Sequence, residues 1–195
     1  MTAQTGVRFE ISLAAWSMHK QFFAKQIDQM GMLDLTHELG IGALELVNTF
    51  FPSPQYAYLK QFRKHADELG VTIPLLMCDG EGSMAAPDKA SRLQAVKNHH
   101  KWVDIAAVLG CRSLRCNTGA RDGDADALDR CAESFPLLVE YADAATALNK
   151  QVKAQVLKDL EPASLEGKKV RFLGAFALLA PTAVTITPVQ LEAAS

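Results

Sequence analysis

The chain of 195 residues lacks most of the features that declare a function at first sight. Its four cysteines, Cys78, Cys111, Cys116 and Cys131, form no CxxC pair, which excludes the common zinc-ribbon and dithiol redox patterns. Their irregular spacing also excludes a secreted disulfide framework, so reduced thiols in a cytoplasmic protein are expected. Residues 1–9 carry one Arg and no apolar block of signal-peptide length. The most apolar stretch, 170–186, contains Arg171, Gly174 and Pro181 and is shorter than the roughly 20 residues of a membrane span. Charge of one sign is missing too. With 20 basic and 22 acidic side chains the net charge is −2, which supplies no electrostatic drive toward nucleic acid or a membrane surface. A phosphate-cradling glycine loop is absent. Gly80-Glu81-Gly82-Ser83 has two glycines but not the strand–GxGxxG–helix context, and reads as a flexible loop.

What the chain does have is a globular composition, 49% hydrophobic, and enough length to bury about 70% of its unfolded surface without a staple. It also has a recurring junction: Glu38-Leu39-Gly40-Ile41, Glu68-Leu69-Gly70-Val71 and Val108-Leu109-Gly110-Cys111. In each, a Leu closes an amphipathic stretch and a Gly stands where helices end in a left-handed residue. Strand-like runs follow, at Ala43 to Val47, Thr72 to Cys78 and Ser113 to Asn117. Ala147-Leu148-Asn149 reads as a fourth junction, with Asn in place of Gly. The glycines are 30 and 40 residues apart, the size of a β/α unit.

Helical period fills the gaps. Leu59, Phe62, His65/Ala66 and Leu69 form one stripe, and Leu93, Val96, His100, Val103 and Ala107 another. A third runs through Leu128, Cys131, Phe135, Leu138, Ala142 and Ala145, with Pro136 expected to kink or split it. A first strand, Phe9 to Ala15, precedes a helix around Asp28 to Leu39. Alternating strands and helices with short links imply a parallel α/β sheet, four units within residues 1–149.

Residues 150–195 break the pattern. The first 149 residues carry net charge −4 and the remainder +2. A possible strand at Val152 to Leu157, a breaker at Leu160-Glu161-Pro162 and a turn at Glu166-Gly167-Lys168 lead to two β-rich runs, Val170 to Leu179 and Ala183 to Val189. These read as a hairpin, a divergent tail behind the repeats.

The segments Ile11 to Ser17, His37 to Asn48 and Lys97 to Cys111, in that order and spacing, resemble the sugar phosphate isomerase/epimerase group. The resemblance covers about residues 9–149 and implies the N-terminal half of a xylose isomerase-like TIM barrel. It further implies proton transfer between neighbouring carbons of a sugar or sugar phosphate, assisted by a divalent metal (Mn, Mg, Co or Zn). In that group the metal-binding Glu, Asp, His and Glu come from the fifth to eighth strands, and nothing after Asn149 matches the Glu-Asn-His-Gly run of the fifth. A complete barrel takes about 250 residues. The expectation is therefore a truncated or rearranged member whose metal ligands this chain lacks. The alternatives are a non-catalytic small-molecule-binding or interaction module on a half-barrel, with a homodimer as one way to complete it, or a tail from frameshift or splicing. An isolated half-barrel leaves the edge of its fourth strand open, and the alternating tail is the candidate to cover it or to pair with the first strand.

Barrel active sites gather at the C-terminal ends of strands. Those ends carry Trp16, Glu45, Asn48, Cys78, Asp79, Glu81, Arg115 and Asn117, of which Trp16, Glu45, Asn48, Asp79, Arg115 and Asn117 are the substrate-binding candidates. Glu45 sits in an apolar run, where a carboxylate needs a partner or a task. Two roles are open for it: held by backbone or by a cation such as Arg115, or facing substrate. Arg115 has the same two options, either binding a sugar hydroxyl or phosphate or satisfying carbonyls or Glu45. The histidines offer no metal cluster. His99 and His100 are adjacent on a helix and point about 100° apart, with His100 on the apolar stripe as a packed residue. His37 and His65 fall near the ends of outer helices. The stretch Arg121 to Asp126 lacks the ligand spacing of a calcium loop and reads as an acidic lead into a helix.

Overall fold

A computed structural model describes residues 10–53, 55–151, 154, 170–180 and 183–193. Its strands β1 (Leu13–Ala14), β2 (Leu44–Val47), β3 (Leu75–Cys78) and β4 (Ser113–Cys116) form one parallel sheet in the order β1-β2-β3-β4. Sheet order equals chain order because a parallel neighbour needs a crossover, and a helix supplies it each time. The helices are α1 (His19–Phe23) and α2 (Gln29–Glu38) after β1, then α3 (Tyr56–Leu69) after β2. After β3 comes α4 (Lys89–Leu109), and after β4 comes α5 (Ala127–Gln151). This is the expected α/β half-barrel arrangement. Its fold divides into two compact units, Met1–Glu81 with Ile105–Asn117, and Gly82–Asp104 with Thr118–Ser195.

In the first unit the helix-end glycines do the work their positions imply. Gly70 is left-handed at φ +68°, and its N–H reaches back to the carbonyls of Ala66 and Asp67. Val71 N–H then bonds Ala66 O at 2.9 Å, which closes the helix and turns the chain toward the sheet. At the other end of a helix, Asp28 caps α2 by accepting from Gly31 N–H at 2.8 Å, an arrangement that stabilises a helix by about 1 kcal/mol. Met32 and Leu33 of α2, Leu59, Phe62 and Ala66 of α3, and Leu44, Leu46 and Leu76 of the sheet are buried together as the core of this unit. Each fully buried Leu contributes about 1.5–3 kcal/mol.

The register puts Leu46 beside Leu76, Val47 beside Met77, and Met77 beside Arg115. Leu44, Leu46, Leu76 and Cys78 are therefore on the covered face. The opposite face carries Glu45, Leu75 and Met77, all half-buried, and the exposed Ser113 and Arg115. That face is the one a closed barrel turns inward.

The second unit corrects the stripe of α4 and one position, Leu128, of the stripe of α5. Along α4 the buried residues are Arg92, Ala95, Val96, His99, Trp102, Ile105, Ala106 and Leu109, of which the last three belong to the first unit. The buried histidine is thus His99 and not His100. The cause is that polar side chains occupy the inner face once their hydrogen bonds are met locally. His99 Nδ1 is bonded to Ala95 O at 2.8 Å, and Arg92 donates to Ala86 O, Pro87 O and Glu133. An all-apolar stripe steps one residue off that face. Likewise in α5, Leu128 is 80% exposed while Ala127, Cys131, Ser134 and Leu138 are buried, with Ser134 Oγ donating to Arg130 O. Helix α5 also runs unbroken past Pro136 and through Asn149, so Pro136 does not split it and Asn149 does not end it.

The two β-rich runs form an antiparallel pair, β5 (Val170–Ala180) and β6 (Ala183–Ala193), with Val170 opposite Ala193 and Ala180 opposite Ala183. Among the described residues these strands pair only with each other. The breaker at 160–162, the turn at 166–168 and, apart from Ala154, the possible strand at 152–157 lie outside the described residues.

Candidate functional site

The C-terminal ends of three strands bring four of the six candidate residues into one network. Asn48 is the first residue after β2, Asp79 the first after β3 and Asn117 the first after β4. The buried Asn48 side chain clamps the Asp79 backbone from both sides: Nδ2 donates to Asp79 O at 2.9 Å, and Asp79 N–H donates to Oδ1 at 2.9 Å. Tying β2 to β3 this way fixes the direction of the Asp79 side chain. Its Oδ1 accepts from Arg115 Nη2 at 2.9 Å and from Asn117 Nδ2 at 2.5 Å. Arg115 and Asn117 share a face of β4 because side chains repeat every second residue along a strand. The Arg115 side chain is 47% exposed and that of Asp79 29%, so the cluster opens to solvent.

Glu45 is placed elsewhere. It accepts from Ser12 Oγ at 2.5 Å, and Arg115, the cation weighed as one partner for it, pairs with Asp79 instead. The reason is lateral: β3 separates β2 from β4, and Asp79 on β3 is the acid within reach of Arg115. Cys78 lies on the covered face and is 1% exposed, away from the cluster. Glu81 is half-buried two residues beyond Asp79.

Trp16 follows β1 in a 3-10 turn, Ala15–Met18, and is 46% exposed. Its ring stacks on His19 (centroids 5.1 Å apart) and on Phe50 (5.8 Å), while Phe22 stacks on Phe50 at 4.1 Å. This aromatic group escaped the sequence reading because α1, at five residues, is too short to show a period. The signal was the spacing of Trp16, His19, Phe22 and Phe23, one helical face directly after a strand. Beside it is an open groove of about 590 Å³ whose walls include Phe22, Phe23, Ile27, Asp28, Phe50 and Phe51. None of the residues bonded to Asp79 lines that groove, so the cavity and the polar cluster are separate features of the strand-end surface.

The remaining chemistry is quiet. Burial pushes the Cys111 thiol up to about 12 and the Cys116 thiol up to about 11, each only partly offset by a neighbouring arginine, Arg63 and Arg115 respectively. Both are poor nucleophiles. His37 and His65 are on the outer helices as expected, with His37 bonded to Leu69 O at 3.0 Å and His65 to Asp34 at 2.7 Å. In the second unit Tyr141 OH donates to Asp104 at 2.9 Å and its ring stacks on His100 with centroids 3.7 Å apart.

The family described as xylose isomerase-like TIM barrel matches residues 33–150. The chain belongs to this family. A second family, described as predicted periplasmic lipoprotein (DUF2291), matches residues 125–192 and so overlaps α5 and takes in β5 and most of β6. Among solved structures, D-psicose 3-epimerase in the presence of D-fructose is similar with a TM-score of 0.53 at 13% identity, over 70% of this chain and 49% of that one. Protein SMc04130 from Sinorhizobium meliloti gives 0.50 at 23%, over 70% and 48%. A putative xylose isomerase from Rhodospirillum rubrum gives 0.50 at 16%, over 71% and 51%. At these identities the likeness is one of fold. The chain spans about half the length of these relatives, and the half it spans is built from four parallel strands.

The described residues do not fit the divalent cation that the resemblance implies. Among the described residues no group of three or more His, Cys, Asp or Glu is placed to hold a metal ion. The carboxylate of the cluster, Asp79, already carries an ion pair with Arg115, whose positive charge opposes a cation there. No helix among the described residues is long and apolar enough to cross a membrane.

Proposed function

We propose that this xylose isomerase-like chain binds a small sugar or sugar phosphate at its strand ends through Asp79, Arg115 and Asn117, with Asn48 holding the Asp79 backbone in place and Trp16 as an apolar neighbour. The observation that carries the reading is the Asp79 network. It sets a carboxylate, a guanidinium and two amides at the end of a parallel sheet, the place where this architecture puts its ligand chemistry. A sugar offers hydroxyls that both accept and donate. Asp79 Oδ2 accepts from such a hydroxyl, Arg115 and Asn117 donate to its neighbour, and a phosphate is taken by the Arg115 fork. Proton transfer on a sugar carbon is proposed only for a chain that also carries the family's fifth to eighth strands, because among the described residues no group of three or more His, Cys, Asp or Glu is placed to hold a metal. For the chain itself the reading is therefore binding without turnover.

Cytoplasmic residence belongs to the same proposal. The four free cysteines support it, and the match of residues 125–192 to a periplasmic family weighs against it.

Titration calorimetry with ketohexoses and their phosphates tests the site. Binding is expected, weaker by at least tenfold in Arg115→Ala, with phosphorylated sugars losing most. Sugar affinity unchanged in both Asp79→Asn and Arg115→Ala overturns the reading. A polarimetric epimerisation assay with added Mn, Mg or Co runs in parallel, and any metal-dependent turnover by this chain refutes binding without turnover.

A further inference from the structure

We propose that two copies of this chain close one barrel, the β4 edge of each meeting the β1 edge of the other around a two-fold axis along the barrel. The inference rests on the half-barrel reading and deepens it by naming the partner that completes the ligand site.

Both outer edges of the four-stranded sheet are available for the same kind of bond. Among the described residues β1 pairs only with β2, and β4 only with β3. Leu13 N–H donates inward to Ala43 O at 2.9 Å, so the neighbouring Ala14 N–H points to the outer edge. Ser113 N–H donates inward to Pro74 O at 3.1 Å, so the neighbouring Leu114 N–H points to the opposite outer edge. One edge is thus the mirror need of the other: each presents alternating donors and acceptors and accepts a parallel strand.

A second copy meets that need. Strands β5 and β6 run antiparallel and already pair with each other. Four strands from each of two copies make eight, the number that closes this barrel, and each copy covers about half of a full-length relative. A two-fold axis makes both seams identical, so assembly stops at two. The inward face suits a copy of itself. It carries half-buried Leu75 and Met77, apolar surface that closure buries further, and one charge of each sign, Glu45 and Arg115. The strand-end site is half a ring in one copy. Closure adds a second set of Trp16, Asn48, Asp79, Arg115 and Asn117 from the other side.

Native mass spectrometry and sedimentation velocity on the full chain test the closure. The expected result is a species of twice 21.2 kDa with nothing larger. A monomer at all concentrations, or an open series of higher oligomers, overturns it. Leu114→Pro removes an outward donor without touching the β3 ladder, and is expected to raise the dimer dissociation constant at least tenfold with helix content unchanged. An unaltered dimer in that variant refutes the seam. Should Leu114→Pro lose its fold, hydrogen exchange on the unaltered chain decides. The Leu114 and Ala14 amides are protected in the dimer and exchange on dilution, and concentration-independent exchange of both overturns the proposal. Sugar binding by a monomer sinks the dimer alone, while a dimer that binds no sugar sinks the ligand reading alone.

Discussion

Asn48→Ala is the substitution whose cost the geometry sets most directly. Asn48 is 5% exposed and joins β2 to β3 by two hydrogen bonds of 2.9 Å to the Asp79 backbone. Truncation removes both bonds and leaves one N–H and one C=O of a half-buried residue without partners. A hydrogen bond contributes about 1 kcal/mol net, and an orphaned buried group costs about 1–3 kcal/mol. Water can reach a half-buried position, so the lower end applies to each group and the total is about 2–4 kcal/mol. Urea denaturation followed by far-UV circular dichroism measures it, and hydrogen exchange at the Asp79 amide localises it. Asn48→Asp sharpens the test. Its carboxylate keeps the acceptor for Asp79 N–H but sets negative charge against Asp79 O, so it is less stable than Asn48→Ala at pH 7. Part of that deficit returns below about pH 4, where a protonated carboxyl donates again. A loss under about 0.5 kcal/mol in Asn48→Ala, with Asp79 protection unchanged, would refute the clamp.

Three further outcomes follow from the geometry. Gly110→Ala costs more than Gly40→Ala in thermal unfolding: both residues are left-handed, at φ +75° and +68°, but a Cβ on Gly110 falls 2.4 Å from Arg63 Nη1 and displaces it from Leu109 O, whereas Gly40 has open space. Equal losses of about 1–2 kcal/mol in the two variants contradict that contact. In the second unit, burial holds His100 below its ordinary value and Asp104 above its own. His100 thus contributes stability present above pH 6.5 and lost as pH falls through its lowered value. Asp104, favoured as the neutral acid, contributes stability present below pH 3.8 and lost as pH rises through its raised value. Urea midpoints across pH 3–8 should lose the first slope in His100→Gln and the second in Asp104→Asn, and slopes unchanged in both variants rule this out. Finally, Cys111 and Cys116, with thiols pushed up to about 12 and about 11, react slowly with a thiol reagent at pH 8 until the chain is unfolded; labelling of Cys116 in the folded chain at the rate of a free thiol contradicts its burial.

Local chemistry made much of the fold legible. A glycine is needed wherever a helix must end left-handed and turn back to a strand, so Gly40, Gly70 and Gly110 mark the β/α units in one dimension. The hairpin runs, read as 170–179 and 183–189 and found as 170–180 and 183–193, are legible for the same kind of reason, since alternation is local. Where a buried side chain is polar, pattern misleads. His99, Arg92 and Ser134 are inside because carbonyls four to six residues away on their own chain satisfy them, joined for Arg92 by Glu133, a fact that hydropathy does not encode.

The candidate site divides along the same line. That Trp16, Asn48, Asp79, Arg115 and Asn117 stand at strand ends follows from the order of elements in the sequence. That Arg115 chooses Asp79 and leaves Glu45 to Ser12 was decided by the sheet. Strand order sets which carboxylate lies one strand away and which lies two, and an ion pair requires contact within a few ångströms. Sequence therefore determined which groups are available to this protein, and only tertiary structure determined which of them meet.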